Sequence, residues 1–222
     1  MQATRTTAII GSFIGEDPVA TGLAATLTHP GGNVTGVAML APELDAKRLQ
    51  LLHEAVPGVS RIAALAATPD QHAPNLAAMR QAAFHEGVAL LPFYAAQPED
   101  YPATFAAMRD ADAGALQIVS GPQFFTNAST LAELALEARL PTICEWRSMA
   151  AQGCFLGYGP DYAELQHRVA DYVARIFHGA SPGELPIEGP THYEFAINLR
   201  TARALGLTIP PSILARADEL IE

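Results

Sequence analysis

Two cysteines, seven histidines and several paired carboxylates are the residues of this chain that could do chemistry. Cys144 and Cys154 have no metal-type spacing. They read as two small buried thiols, with a disulfide as the alternative in an oxidising compartment. His53-Glu54 and His85-Glu86 lack a second histidine four residues on, so neither forms a zinc-binding helix. Both pairs fall near predicted helix C-termini, where a partial positive charge suits the dipole. Glu99-Asp100 and Asp110/Asp112 lie in helix ends and turns, and a hydrolase built on two carboxylates needs them across one cleft. Gly11-Ser12-Phe13-Ile14-Gly15 does not have the spacing of a nucleophile elbow. The run from Gly31 to Gly36 lacks the lysine of a phosphate loop and the spacing of a dinucleotide fingerprint. No catalytic residue, metal ligand or cofactor is therefore assigned, and the chain is not expected to be an enzyme.

What remains is a series of polar and aromatic residues that follow predicted strands. The chain alternates short apolar runs with amphipathic stretches. Strands are expected over 7–13, 34–40, 60–66, 88–94, 115–119, 141–144, 154–158 and 192–199. Helices are expected over 17–28, 42–56, 73–86, 98–109, 126–139, 162–177, 200–205 and 210–221. Asp17-Pro18 reads as an N-cap with proline in the first turn. Strands separated by helices mean βαβ units, a parallel sheet and helices on both of its faces.

In such sheets ligands bind beyond the carboxyl ends of the strands. Those positions are 15–17, Thr68-Pro69, Tyr94, 120–125, Glu145-Trp146 and Tyr158. Asp17 is a helix cap first, and Thr68-Pro69-Asp70 is turn chemistry first. Trp146 is the sole tryptophan. It lies in the polar run Glu145-Trp146-Arg147-Ser148, where a stacking surface for a planar ligand and ordinary packing both remain open. Of Phe124 and Phe125, one ring is expected in the core and the other facing the ligand.

The chain has 222 residues and a net charge of −10, with its 13 basic residues scattered. An acidic surface repels phosphate backbones and anionic lipid, which argues against nucleic-acid and membrane-surface partners. No apolar stretch is long enough to span a bilayer. Residues 1–7 contain no apolar core of a signal peptide.

Several blocks, in order, carry a family resemblance. They are Asp17-Pro18-Val19-Ala20-Thr21-Gly22-Leu23, Pro30-Gly31-Gly32-Asn33-Val34-Thr35-Gly36 and Lys47-Arg48-Leu49-Gln50-Leu51-Leu52. Next come Pro57-Gly58-Val59-Ser60-Arg61, Tyr158-Gly159-Pro160, and the stretch from Asn198-Leu199-Arg200 to Thr208-Ile209-Pro210. The end, Leu214-Ala215-Arg216-Ala217-Asp218-Glu219-Leu220-Ile221-Glu222, completes them. Together they resemble the substrate-binding proteins of ABC transporters, of the tryptophan/tyrosine-binding type.

The resemblance implies an α/β fold of two Rossmann-like lobes with parallel sheets, the type I periplasmic binding fold. Residues 1–36 and 158–187 would form a partial N-terminal lobe, and 37–157 with 188–222 the C-terminal lobe. The lobes would close as a hinge on a small molecule, an aromatic amino acid or related carboxylate. Helix N-termini and loop amides would meet its anionic group. Phe124, Trp146 and Tyr158 would give apolar contact, and Asp17, Thr35, Gln123 and Glu145 polar contact, with Pro18 and Thr68 alongside.

The family carries Asp-Pro where this chain has Gly121-Pro122, and Ser-Tyr-Gly where it has Gly157-Tyr158-Gly159. Glu145 is the carboxylate available in place of the missing aspartate. Family members also carry a secretory signal and further leading strand–helix units. The first lobe is accordingly expected to be incomplete, with an exposed edge open to homodimer formation. Implied partners are a small-molecule solute and an ABC transporter permease, in the periplasm. The alternatives are a non-catalytic fragment, a sensor domain of the same fold or, less in keeping with the residues, an α/β enzyme.

Overall fold

The structure is a computed structural model that describes residues 4, 6–14, 17–39 and 41–222. Gly15 and Glu16, within the expected ligand position after the first strand, lie outside the described residues. The chain divides into two compact units. Unit 1 comprises Met1–Ala41 and Pro160–Tyr193, and unit 2 comprises Pro42–Gly159 and Glu194–Glu222.

Unit 2 is built on strands β3 (Arg61–Ala66), β4 (Ala89–Tyr94), β5 (Ala115–Ile118), β6 (Thr142–Cys144), β7 (Leu156–Pro160), β8 (Tyr193–Asn198) and β9 (Glu219–Ile221). They form one sheet in the order β4-β3-β5-β6-β7-β8-β9. From β4 to β7 every pairing is parallel, as is β8 with β9. β8 runs back beside β7, because Asn198 N donates to Phe155 O at one end and Asp161 N to His192 O at the other. The α/β class with a mostly parallel sheet is thus as the alternation of elements predicts.

Helices α1 (Ala41–Ala55), α2 (Ala73–Glu86), α3 (Tyr101–Asp110), α4 (Pro122–Thr126), α5 (Ala128–Glu137) and α6 (Arg147–Ala151) connect these strands. The core of the unit joins Leu49 and Leu52 of α1, Ile62 and Ala64 of β3, Met79 of α2, Phe155, and Ile197 of β8. Continuous burial along β3 and β5 is what a parallel sheet covered on both faces requires.

In unit 1, β1 (Ile9–Ile14) and β2 (Val34–Met39) pair in parallel, with Ile9 opposite Val34. Helix α7 (Tyr162–Phe177) packs on them, capped by Asp161, whose Oδ1 accepts from Ala163 N and Glu164 N. α7 buries Leu165 and Tyr172. The Tyr172 hydroxyl donates to Pro186 O at 2.5 Å, and burial pushes its pKa up to about 12.

Three expectations are corrected. Residues 17–28 form turns, not a helix. Asp17 Oδ1 does accept from Val19 N at 2.8 Å, and Leu23 N and Ala24 N reach Pro18 O. Gly22 then turns left-handed at φ 72°, which keeps these turns from continuing as a helix. Second, the expected final helix over 210–221 is only α9 (Pro211–Leu214), after α8 (Leu199–Leu205). Asp218 exchanges two bonds with the backbone of Phe195, and this pairing draws 219–221 onto the sheet as β9.

Third, Cys144 and Cys154 are joined as a disulfide, not left as two thiols. The bond ties the end of β6 to the approach of β7 and closes the segment that carries α6. Both sulfur-bearing residues are fully buried. With the cysteines 10 residues apart, loop-closure entropy assigns the bond about 2–3 kcal/mol. The double variant Cys144→Ala/Cys154→Ala is expected to melt about 4–12 °C below the parent, as read in a thermal denaturation curve.

Candidate functional site

The site is built from α1 upward. Asp45 and Arg48 lie one turn apart on the stripe that also carries Leu49 and Leu52, so packing that stripe on the sheet buries a charged pair. Both are fully buried. Arg48 Nη1 donates to Asp45 Oδ1 at 2.8 Å and to Ser120 Oγ at 2.9 Å. Its Nε reaches Tyr158 O at 2.7 Å, and its Nη2 reaches Glu145 O at 3.4 Å. Asp45 is satisfied in turn. Asn75 Nδ2 donates to its Oδ2 at 2.6 Å, and Gln117 Nε2 bonds its carbonyl and its Oδ1 at 2.8 and 3.2 Å. One guanidinium therefore fastens the carboxyl ends of β5, β6 and β7 to α1.

Beyond those ends lie Ser120-Gly121, Glu145-Trp146 and Tyr158. Gly157 and Gly159 let β7 press against the Glu145-Trp146 backbone. A Cβ on Gly157 would stand 2.5 Å from Trp146 O, and one on Gly159 would stand 2.0 Å from Glu145 O. His72, at the start of α2, bridges two strand ends, with Nδ1 3.3 Å from Thr68 O and Nε2 3.2 Å from Ser120 O.

Glu145 is 3% exposed. Its carboxylate is held by the Ser120 hydroxyl and the Gly121 backbone. Desolvation raises its pKa to about 7, against the opposing charge of Arg48 and with the like charge of Asp45. Its Oε1 is buried with no hydrogen-bond partner among the described residues. Gln123 folds its amide over Gly121, within 3.0 Å of where a Cβ would be, and its Nε2 is likewise buried and unpartnered. An acceptor and a donor, both unsatisfied, flank the same glycine.

Of the expected site residues, Thr68, Gln123, Phe124, Glu145, Trp146 and Tyr158 gather along this carboxyl edge of unit 2. Trp146 and Phe124 are buried, the latter beside Tyr101 with ring centres 6.4 Å apart. Tyr158 is half-buried and stands edge-on to Phe195 at 6.2 Å. Asp17, Pro18 and Thr35 belong to unit 1. There Asp17 caps its own turn, and Thr35 Oγ1 donates to Leu185 O at 2.8 Å. Asp45, Arg48, Asn75 and Gln117 are not expected from sequence. Two signals pointed to them: a charged pair on an apolar helical stripe, and a glutamine inside an apolar strand.

Among the described residues no group of three or more His, Cys, Asp or Glu could hold a metal ion, and no helix is long and apolar enough to cross a membrane. The edge carries hydrogen-bonding atoms, aromatic rings and one buried carboxylate whose pKa is raised to about 7. A family model described as ABC transporter substrate binding protein matches residues 1–221. The chain belongs to the ABC transporter substrate-binding protein family.

It is similar to a conserved domain protein from Vibrio cholerae O1 biovar eltor, at 27% identity and a TM-score of 0.87, over 98% of this chain and 73% of that one. Its fold is also that of an ABC domain in complex with L-Trp from Streptococcus pneumonia, at 24% identity and a TM-score of 0.87, over 99% and 73% of the two chains. A third neighbour is the ligand-free, open structure of a substrate-binding protein with adhesive properties from Clostridium difficile. It has 20% identity and a TM-score of 0.70, over 99% and 72%. No curated protein matches the chain. These neighbours place this substrate-binding protein in the type I periplasmic-binding class of folds, and they lend no support to a homodimer.

Proposed function

We propose that this substrate-binding protein captures a small aromatic amino acid, or a related aromatic carboxylate, and hands it to an ABC transporter permease outside the cytoplasm. The observation that carries the reading is the pair of buried, unpartnered polar atoms, Glu145 Oε1 and Gln123 Nε2, beside Gly121. Buried polar groups without partners cost stability, and a solute that satisfies both recovers that cost on binding. They lie beyond the carboxyl ends of parallel strands, where α/β sheets hold ligands.

Phe124, Trp146 and Tyr158 supply aromatic surface along the same edge. The Streptococcus pneumonia neighbour, whose structure is titled as a complex with L-Trp, supports the choice of solute class. An oxidising, extracytoplasmic setting is consistent with the Cys144–Cys154 disulfide.

Titration calorimetry with L-tryptophan, L-tyrosine and L-phenylalanine tests the proposal. At least one is expected to bind at one site per chain. Trp146→Ala, which removes an aromatic wall, is expected to weaken that binding by about tenfold or more. Absence of heat with all three, in protein that melts cooperatively, would remove the proposal.

A further inference from the structure

The segment 145–153 starts with Glu145 and Trp146, continues as α6, and is bracketed by the Cys144–Cys154 disulfide. Its far end is fastened without that bond. Asn198 Nδ2 donates to Ala150 O at 2.8 Å, and Thr201 Oγ1 donates to Gly153 O at 2.9 Å. Its start is held less firmly. Arg48 Nη2 reaches Glu145 O at 3.4 Å, the longest of that guanidinium's bonds. The Glu145 side chain rests on Ser120 and Gly121, which lie in the turn after β5. Arg147 pairs with Glu219 at 3.1 Å and Glu194 at 3.6 Å, but it is half-exposed, where ion pairs contribute little. β6 itself has only three residues and meets β7 at Ile143–Leu156 and Cys144–Gly157. The backbone of Trp146 lies hard against β7, since a Cβ on Gly157 would stand 2.5 Å from its carbonyl oxygen. So short a ladder leaves the placement of Glu145-Trp146 to the covalent bond between β6 and the approach of β7.

Building on the solute reading above, we infer that Cys144 and Cys154 are positioning residues of the solute site, and that the chain holds its aromatic solute tightly only with the bond formed. In the dithiol form unit 2 still folds, through the Arg48 network and the far-end bonds, but Trp146 spends most of its time out of the binding geometry. Affinity falls by the fraction of chains in which the segment is in place. The step is thiol–disulfide exchange. A dithiol reductant gives two electrons to the S–S bond and becomes a disulfide, and its two protons end on the sulfurs of Cys144 and Cys154. Both cysteines are fully buried, so their state is set as the chain folds and is not exchanged afterwards. A chain folded in a reducing compartment is thereby kept from holding solute, and one folded in an oxidising compartment is competent.

The experiment refolds the 222-residue chain with and without dithiothreitol and prepares Cys144→Ala/Cys154→Ala beside it. Alkylation and mass measurement after denaturation establish the state of the thiols. Calorimetry with L-tryptophan, L-tyrosine and L-phenylalanine, well below the melting transition of each form, reads the affinity. Both forms without the bond are expected to melt cooperatively and to bind at least about tenfold more weakly than the disulfide form. Met79→Ala, a fully buried core position of α2, keeps the disulfide and also lowers the melting temperature. It is expected to bind like the parent, which a loss due to stability alone would not allow. Equal affinity with and without the bond, or a loss of the same size in Met79→Ala, would overturn the positioning role and leave the solute reading standing. So would failure of the bond-free forms to fold, since the bond would then hold the whole unit and not the site. If the disulfide form binds none of the three amino acids, the solute reading itself fails, and this inference with it.

Discussion

Replacing Arg48 with methionine is expected to destabilise unit 2 by about 3–5 kcal/mol, the cost of removing one partner of a buried ion pair. The side chain is fully buried and makes four bonds. Methionine occupies a similar volume but donates nothing. Asp45 keeps Asn75 and Gln117 yet loses its counter-charge, while Tyr158 O and Ser120 Oγ lose their donor. Arg48→Lys keeps the charge without the planar fork, so it cannot span Asp45, Ser120 and Tyr158 together. Its loss is expected to lie between those of the parent and the methionine variant. Denaturant unfolding reads both. A loss for Arg48→Met below about 1 kcal/mol would show the network to be dispensable.

The second large effect concerns Glu145 and runs with pH. Burial raises its folded-state pKa to about 7 from the ordinary 4.5. Between those values the folded chain holds a proton that the unfolded chain has released. The stability linked to Glu145 is therefore greatest below about pH 4.5 and declines as pH rises toward 7. Above that the folded chain carries a constant penalty, on the order of 3 kcal/mol. Glu145→Gln keeps the shape and removes the titration. The variant is expected to be more stable than the parent by about that amount at pH 8, and close to it at pH 5. Glu164 in unit 1 has the opposite sign. Bonds from Thr191, together with His192 and Arg168, lower its pKa, so its contribution is present at neutral pH and is lost in acid. Unfolding curves of parent and Glu145→Gln across this range separate the two. Parallel pH profiles would contradict the assignment to Glu145.

The alternation of apolar strands and amphipathic helices was legible from β3 to β5, because each element there has a length and period of its own. Elements decided by tertiary contacts were not. The apolar and threonine-containing run over 17–28 looks helical until Gly22 adopts a left-handed turn. The polar run over 145–148 leads into α6, Arg147–Ala151, which is buried through Met149 and Ala150. The helix expected over 126–139 is α5, and α4 precedes it over Pro122–Thr126, the two meeting at Asn127.

The carboxyl-edge residues followed from the position of the strands. What joins them could not be seen, because Arg48 meets partners 72 and 110 residues away at Ser120 and Tyr158. Arg48 and Asp45 did carry a local signal, charges on a stripe that must pack. The disulfide likewise depends on β6 and β7 being neighbours in the sheet, which spacing along the chain does not reveal.

Hydrogen exchange of the 222-residue chain with and without saturating aromatic amino acid locates solute binding as well as detecting it. The predicted result is slower exchange over residues 119–125 and 145–159, the segments that carry Gln123, Glu145, Trp146 and Tyr158. Exchange unchanged by L-tryptophan, L-tyrosine and L-phenylalanine, or protection that spares both segments, would contradict it.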